Sequence, residues 1–226
     1  MSFINDFLSL IFPRNCEACL DVLYKHEQFM CNKCLINLPN SVNQHKSKIN
    51  LIFAGRIPVK NTFCLYVFLK DGKVQKLLHS IKYQEQNELA EFIGNQFALK
   101  FKNDLNDLDC IIPIPLHAKK LKQRGFNQSE IFAKGISKQS NLPIISNNLI
   151  RETNTRTQTK KRKYERWQNV EGVFSLTNPN ELINKHVLLV DDVITTGATI
   201  EAAWQHLKAV EGIKITIGSI AYAAKT

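Results

Sequence analysis

The residue types best suited to chemistry sit together in one stretch, Val187-Leu188-Leu189-Val190-Asp191-Asp192-Val193-Ile194-Thr195-Thr196-Gly197-Ala198-Thr199. Two adjacent carboxylates, Asp191 and Asp192, can accept hydrogen bonds from neighbouring hydroxyls or stabilise a developing positive charge. Thr195, Thr196, Gly197, Ala198 and Thr199 follow at once, offering hydroxyls, consecutive backbone N–H groups and one glycine free to take a positive φ. Helix-forming residues come next (Ile200, Glu201, Ala202, Ala203). The turn therefore lies at a helix N-terminus, where unpaired N–H donors and the positive dipole end favour a phosphate. Carboxylates for sugar hydroxyls beside a phosphate cradle make a sugar-phosphate site. A plain strand end with two solvated aspartates does not explain the Thr-Thr-Gly-x-Thr turn. A Walker B reading lacks its partner, because no Gly-x4-Gly-Lys-Ser/Thr stands upstream.

A second cluster is Cys16-x2-Cys19, eleven residues, then Cys31-x2-Cys34. Two such knuckles suit a tetrahedral Zn²⁺. Cysteine at all four positions leaves no open coordination place, so the metal would be structural. Two disulfides, or a redox Cys-x2-Cys pair, are the alternatives; the first needs an oxidising compartment. The remaining cysteines, Cys64 and Cys110, stand in apolar runs and read as core.

Elements must carry these groups. The continuous run Val187–Val190 suits a strand buried on both faces of a parallel sheet, with Asp191 and Asp192 at its carboxyl end, where open α/β sheets bind ligands. Further strands are expected at Thr62–Leu69, Asp109–Ile112, Pro143–Ile150, Gly172–Ser175 and Ile213–Tyr222, and helices at Leu89–Phe101, Asn127–Gln139 and 198–210. Val74, Leu77, Leu78 and Ile81 have helical spacing leading into Lys82-Tyr83. His79 on that helix reads as a surface or packed histidine. Pro113 and Pro115 end the Asp109–Ile112 strand in a stiff turn, where proline lowers the cost of a cis peptide. Residues 46–61 read as a polar linker, dividing an N-terminal module (1–45) from an α/β domain (62–226). The fold class is thus α/β, a doubly wound, mostly parallel sheet with a small four-cysteine zinc knuckle.

The stretch 187–199 resembles the 13-residue phosphoribosyl pyrophosphate (PRPP) motif of type I phosphoribosyltransferases. Further matches are similar to the ComF family, competence-associated proteins of phosphoribosyltransferase type. They are Pro113-Ile114-Pro115-Leu116-His117, Arg124-Gly125-Phe126-Asn127-Gln128, Thr155 to Thr159 with Arg162, Arg166 and Asn169-Val170, and the four-cysteine module between Phe12-Pro13 and Leu38-Pro39. The resemblance implies that Asp191 and Asp192 hold ribose hydroxyls and that Thr195 to Thr199 hold the 5′-phosphate. Pro115, Leu116 and His117 with Arg124 would face pyrophosphate, Mg²⁺ bridging it to the ribose. Asp191, Asp192 and Arg124 would then be catalytic in a phosphoribosyl transfer, and Lys82 would meet phosphate or merely be solvated. The family also implies a part in natural competence, the inward passage of single-stranded DNA, with single-stranded DNA or competence-machinery proteins as partners.

The rest bounds these readings. Segment 151–166 holds seven basic and two acidic residues. It can serve as a cationic lid, as a nucleic-acid track with Tyr164 and Trp167 for stacking, or as a solvated run. Lys119, Lys120 and Lys122 add cations near the proposed pyrophosphate, or form a solvated helix face. A net charge of +10 favours polyanionic ligands without choosing among them. No apolar run approaches the ~18 residues of a membrane span. Ser2–Phe12 makes a poor signal peptide and reads as an amphipathic helix docked on the body, so a cytoplasmic location is expected. Three functions remain open: a phosphoribosyltransferase, a PRPP-sensing accessory protein with little catalysis, and a nucleic-acid-binding protein.

Overall fold

A computed structural model describes residues 12–40, 46–83, 86–152 and 173–223. The aliphatic runs become strands of one parallel sheet. β1 (Val59–Phe68), β2 (Cys110–Pro113), β5 (His186–Ile194) and β6 (Lys214–Ala223) lie in the order β1-β6-β5-β2. Side chains alternate along each strand, so β5 sends Leu188 and Val190 to one core and Val187 and Leu189 to the other. Both faces are covered, which is why these runs are apolar without interruption.

The first face carries α3 (Lys73–Tyr83), α4 (Asn87–Lys100) and α6 (Gln128–Ser140). α4 and α6 cross closely at Gly94 and Gly135. A Cβ on Gly135 would lie 2.0 Å from the Glu91 carbonyl oxygen, so only glycine fits. The second face carries α7 (Ala198–Leu207) through Ile200, Ala203 and Leu207. The helix that follows β2 and packs on the sheet (α6) and the helix that follows β5 (α7) thus cover opposite faces. The crevice between these neighbouring strand ends is a topological switch point, where such sheets place ligands. Between β2 and α6 runs the short α5 (Ala118–Arg124).

The cysteine knuckles lead into α1 (Asn32–Asn37) and are no separate ball. Cys16, Ala18, Leu23, Met30, Cys34 and Leu38 join the first core, and the Val67 N–H donates to the Pro39 carbonyl at 2.8 Å.

Four expectations need correction. Residues 46–61 are not a free linker. They open with α2 (Lys46–Leu51) and bury Ile49, Phe53 and Ile57 in the second core. Pro143–Ile150 is not one strand. It touches β2 at a single bridge, Ile144 to Ile111, and then turns away to form β3 (Leu149–Arg151), which pairs antiparallel with β4 (Phe174–Leu176). β5 does not stop before the aspartates, because β6 continues to Ala223 and keeps it paired as far as Ile194. The peptide bonds of the 113–115 turn are trans. The expected N-terminal helix and the basic segment's central part, residues 1–11 and 153–172, lie outside the described residues.

Candidate functional site

β2 ends at Pro113, opposite Val190, while β5 runs on. That stagger leaves Asp191 and Asp192 beyond the last β2 partner, facing the turn that follows Pro113. The turn stays attached, the Ile114 N–H donating to the Val190 carbonyl at 2.8 Å. The two sequence features that the resemblance assigns to ribose and to pyrophosphate therefore leave the sheet side by side.

The two carboxylates differ in setting. Asp191 Oδ1 accepts from the Ser129 hydroxyl at 3.2 Å and from the Asp192 N–H at 2.9 Å. Burial, then the neighbouring Asp192 charge, pushes the Asp191 carboxyl up to about 7; the Asp192 N–H, Ser129 and Lys82 oppose the shift more weakly. Asp192 Oδ1 accepts from the Val193 N–H at 2.6 Å, and its Oδ2 pairs with Lys82 Nζ at 2.8 Å. Lys82 thus reaches the acidic doublet from the end of α3.

Gly197, at φ 79°, caps α7. The N–H groups of Thr196 and Gly197 make no hydrogen bond within the described residues, and Thr195 and Thr196 are exposed. Ala198 N–H lies 3.4 Å from Thr196 Oγ1. Gly197 is buried beneath the segment whose composition suggests a linker: a Cβ there would come within 2.6 Å of the Phe53 ring. Arg56 spans the loop, donating to the Ile52 carbonyl at 2.5 Å and the Thr196 carbonyl at 2.7 Å, and pairing with Glu201 at 3.2 Å. Arg56 thus occupies the Thr196 carbonyl, while the Thr196 and Gly197 N–H groups have no partner among the described residues.

In the turn after Pro113, Pro115, Leu116 and His117 are half-buried. His117 is used locally, its Nδ1 accepting from the Lys119 N–H at 3.2 Å at the start of α5. Lys119, Lys120 and Lys122 are exposed. Arg124 is held: its Nη1 donates to Gln128 Oε1 at 3.0 Å, and its guanidinium lies 5.4 Å above the Tyr83 ring. His79 is exposed against Tyr83, while Cys64 and Cys110 are buried in the core.

The four knuckle sulfurs all lie within 4.8 Å of one another, with Cys19 and Cys31 Sγ 3.7 Å apart, and none is in a disulfide. A tetrahedron with ~2.3 Å metal–sulfur bonds has edges of about 3.8 Å, so the cluster can hold a metal ion. The Cys31 N–H points at Cys16 Sγ at 3.4 Å. Glu27 supports the frame, its two oxygens accepting from the Tyr24 N–H at 2.8 Å and the Asn32 N–H at 2.7 Å.

Sequence reasoning missed Phe53, Arg56 and Ser129. Arg56 reaches 140 positions along the chain and Ser129 reaches 62. Only the four-residue spacing of Ile49, Phe53 and Ile57 hinted that their segment packs.

Residues 127–226 match the phosphoribosyl transferase domain model. Competence protein F of Haemophilus influenzae is 34% identical over 130 residues, covering 55% of this chain and 57% of that protein. Competence protein ComFC of Bacillus subtilis is 29% identical over 138 residues, covering 61% and 54%. The match spans little more than half the length of these relatives. Among solved structures, the allosteric regulatory enzyme of purine biosynthesis superposes with a TM-score of 0.43 at 17% identity, covering 62% of this chain and 30% of that one. Among the described residues, no helix is long and apolar enough to cross a membrane.

Proposed function

We propose that this chain binds PRPP together with Mg²⁺, and that it supports the handling of incoming single-stranded DNA in natural competence, in the cytoplasm. The observation that carries the ligand is the meeting, at one sheet edge, of the Asp191–Asp192 doublet, the uncommitted Thr196 and Gly197 N–H groups, and the Pro113–His117 turn with Arg124. The role in competence leans on the names of the relatives, competence protein F and competence protein ComFC.

In this reading Asp191 and Asp192 accept from the ribose hydroxyls, and Lys82, now on Asp192, moves toward the phosphates. Thr195 to Thr199 hold the 5′-phosphate. Pro115, Leu116, His117 and Arg124 face pyrophosphate. Apart from the four cysteines, the described residues form no cluster of three or more metal-binding side chains. That suits a magnesium ion borne by ligand oxygens and at most two carboxylates, rather than an all-protein cage. Mg²⁺, when bound, supplies charge neutralisation for the pyrophosphate. If transfer occurs, pyrophosphate departs from ribose C1, and Asp191 and Asp192 stabilise the positive charge left on the ring. In the four-cysteine cluster the ion is Zn²⁺, by its all-thiolate, closed set, and its role is structural.

Isothermal titration with PRPP and Mg²⁺, on wild type and on Asp191→Ala/Asp192→Ala, tests the ligand. Heat is expected from the wild type and none from the double variant; a silent wild type ends the proposal. Pyrophosphate release against a panel of bases and amines then decides whether the bound ligand is also a substrate.

A further inference from the structure

The segment Arg124-Gly125-Phe126-Asn127-Gln128 stands out in the sequence, yet only Arg124 has a place in the reading above. We infer that Asn127 is the positioning residue of the pyrophosphate turn, joining it to the acidic doublet through the start of α6. This rests on the proposed ligand.

Asn127 makes two contacts of opposite sense. Its Oδ1 accepts from the Ser129 N–H at 3.2 Å and so caps α6. Its Nδ2 donates to the Ile114 carbonyl at 3.0 Å, in the middle of the Pro113–His117 turn. One contact needs an acceptor and the other a donor, so the amide has a single orientation and no other side chain of this size serves both. The turn needs the help: its prolines have no N–H to donate, and the Ile114 N–H is spent on the Val190 carbonyl. One residue beyond Gln128, the same helix end sends the Ser129 hydroxyl to Asp191. Asn127 and Ser129 thus fix the turn and the ribose carboxylate to one rigid element. The distance between the two halves of the ligand site is set by the first turn of α6.

Two substitutions separate capping from positioning. Asn127→Asp and Asn127→Ser both keep a good helix cap; the aspartate has no donor for Ile114, and the serine hydroxyl, one bond shorter than the amide nitrogen, falls short of the Ile114 carbonyl. The aspartate also adds a negative charge near the ligand, which the serine does not. Titrate each protein with magnesium pyrophosphate and, separately, with ribose 5-phosphate, and compare melting temperatures. The inference expects both variants to melt near the wild type, to bind pyrophosphate about tenfold more weakly, and to bind ribose 5-phosphate as the wild type does. Wild-type pyrophosphate affinity in Asn127→Ser, or equal loss of both ligands, overturns it. A wild-type protein that binds neither ligand overturns the proposed site itself, whatever the variants do.

Discussion

Asp191→Asn is expected to make the protein more stable and less able to bind. The Asp191 carboxyl is pushed from 3.8 to about 7, chiefly by burial and next by the Asp192 charge. At ~1.36 kcal/mol per unit, ionising it in the folded protein costs up to roughly 4 kcal/mol. The introduced amide removes that cost. Its oxygen can still accept from Ser129 and the Asp192 N–H, but its NH₂ needs a partner of its own, a penalty of about 2 kcal/mol if none is found. A net gain of about 2 kcal/mol at pH 8 follows. The sign of the pH dependence is fixed by protons. Between about pH 4 and pH 7 the folded protein holds a proton that the unfolded chain has released. Wild-type stability therefore falls as pH rises through that window, and this contribution is constant above it. Asp191→Asn has no such contribution, so its advantage grows from pH 5 to pH 8. Urea unfolding of both proteins at several pH values reads this directly. A variant less stable than wild type by the same amount at pH 5 and pH 8 refutes the reasoning, since Asp191 would then carry no buried charge. A stabilised variant that no longer binds PRPP marks a residue kept for function at the expense of stability.

Other perturbations are equally specific. Gly197→Ala forces a side chain into φ 79° and against Phe53, and should cost about 2 kcal/mol by thermal unfolding, with loss of ribose 5-phosphate binding. Gly135→Ala should separate α4 from α6 at a cost of about 3 kcal/mol, and lower pyrophosphate affinity because α6 carries Asn127 and Ser129; unchanged chemical denaturation would contradict the close crossing. Cys34→Ser should abolish bound zinc by elemental analysis and expose the 12–38 region to protease. Glu27→Gln leaves all four ligands in place yet should weaken metal affinity about tenfold, as measured by competition with a chelator.

What could be read from the chain follows the range of the interactions. The β5 run, the Thr-Gly turn and the paired cysteine knuckles each bring their groups together within a few residues, so their meaning is local and legible. The ordering of the site is not local. Arg56 and Phe53 sit in a stretch whose composition suggests a linker, and what packs it is the burial of Ile49, Phe53 and Ile57, three residues spaced four apart. Nothing near Arg56 in sequence indicates that its partner is the Thr196 carbonyl; that pairing exists only once β6 has paired with both β1 and β5. The same holds for Ser129, an ordinary N-terminal helix residue until β2 and β5 lie adjacent and bring α6 over Asp191. The strand expected at Pro143–Ile150 fails for the same reason. β2 pairs with it only around Ile111, and Leu149 then leaves for the second core, where Leu176 offers a partner. Side chains that bear the chemistry are thus written as motifs, whereas those that hold them in register are written as contacts between distant segments. A motif search alone would therefore lead to the proposed ligand class and miss Ser129, Arg56 and the proposed second role of Asn127.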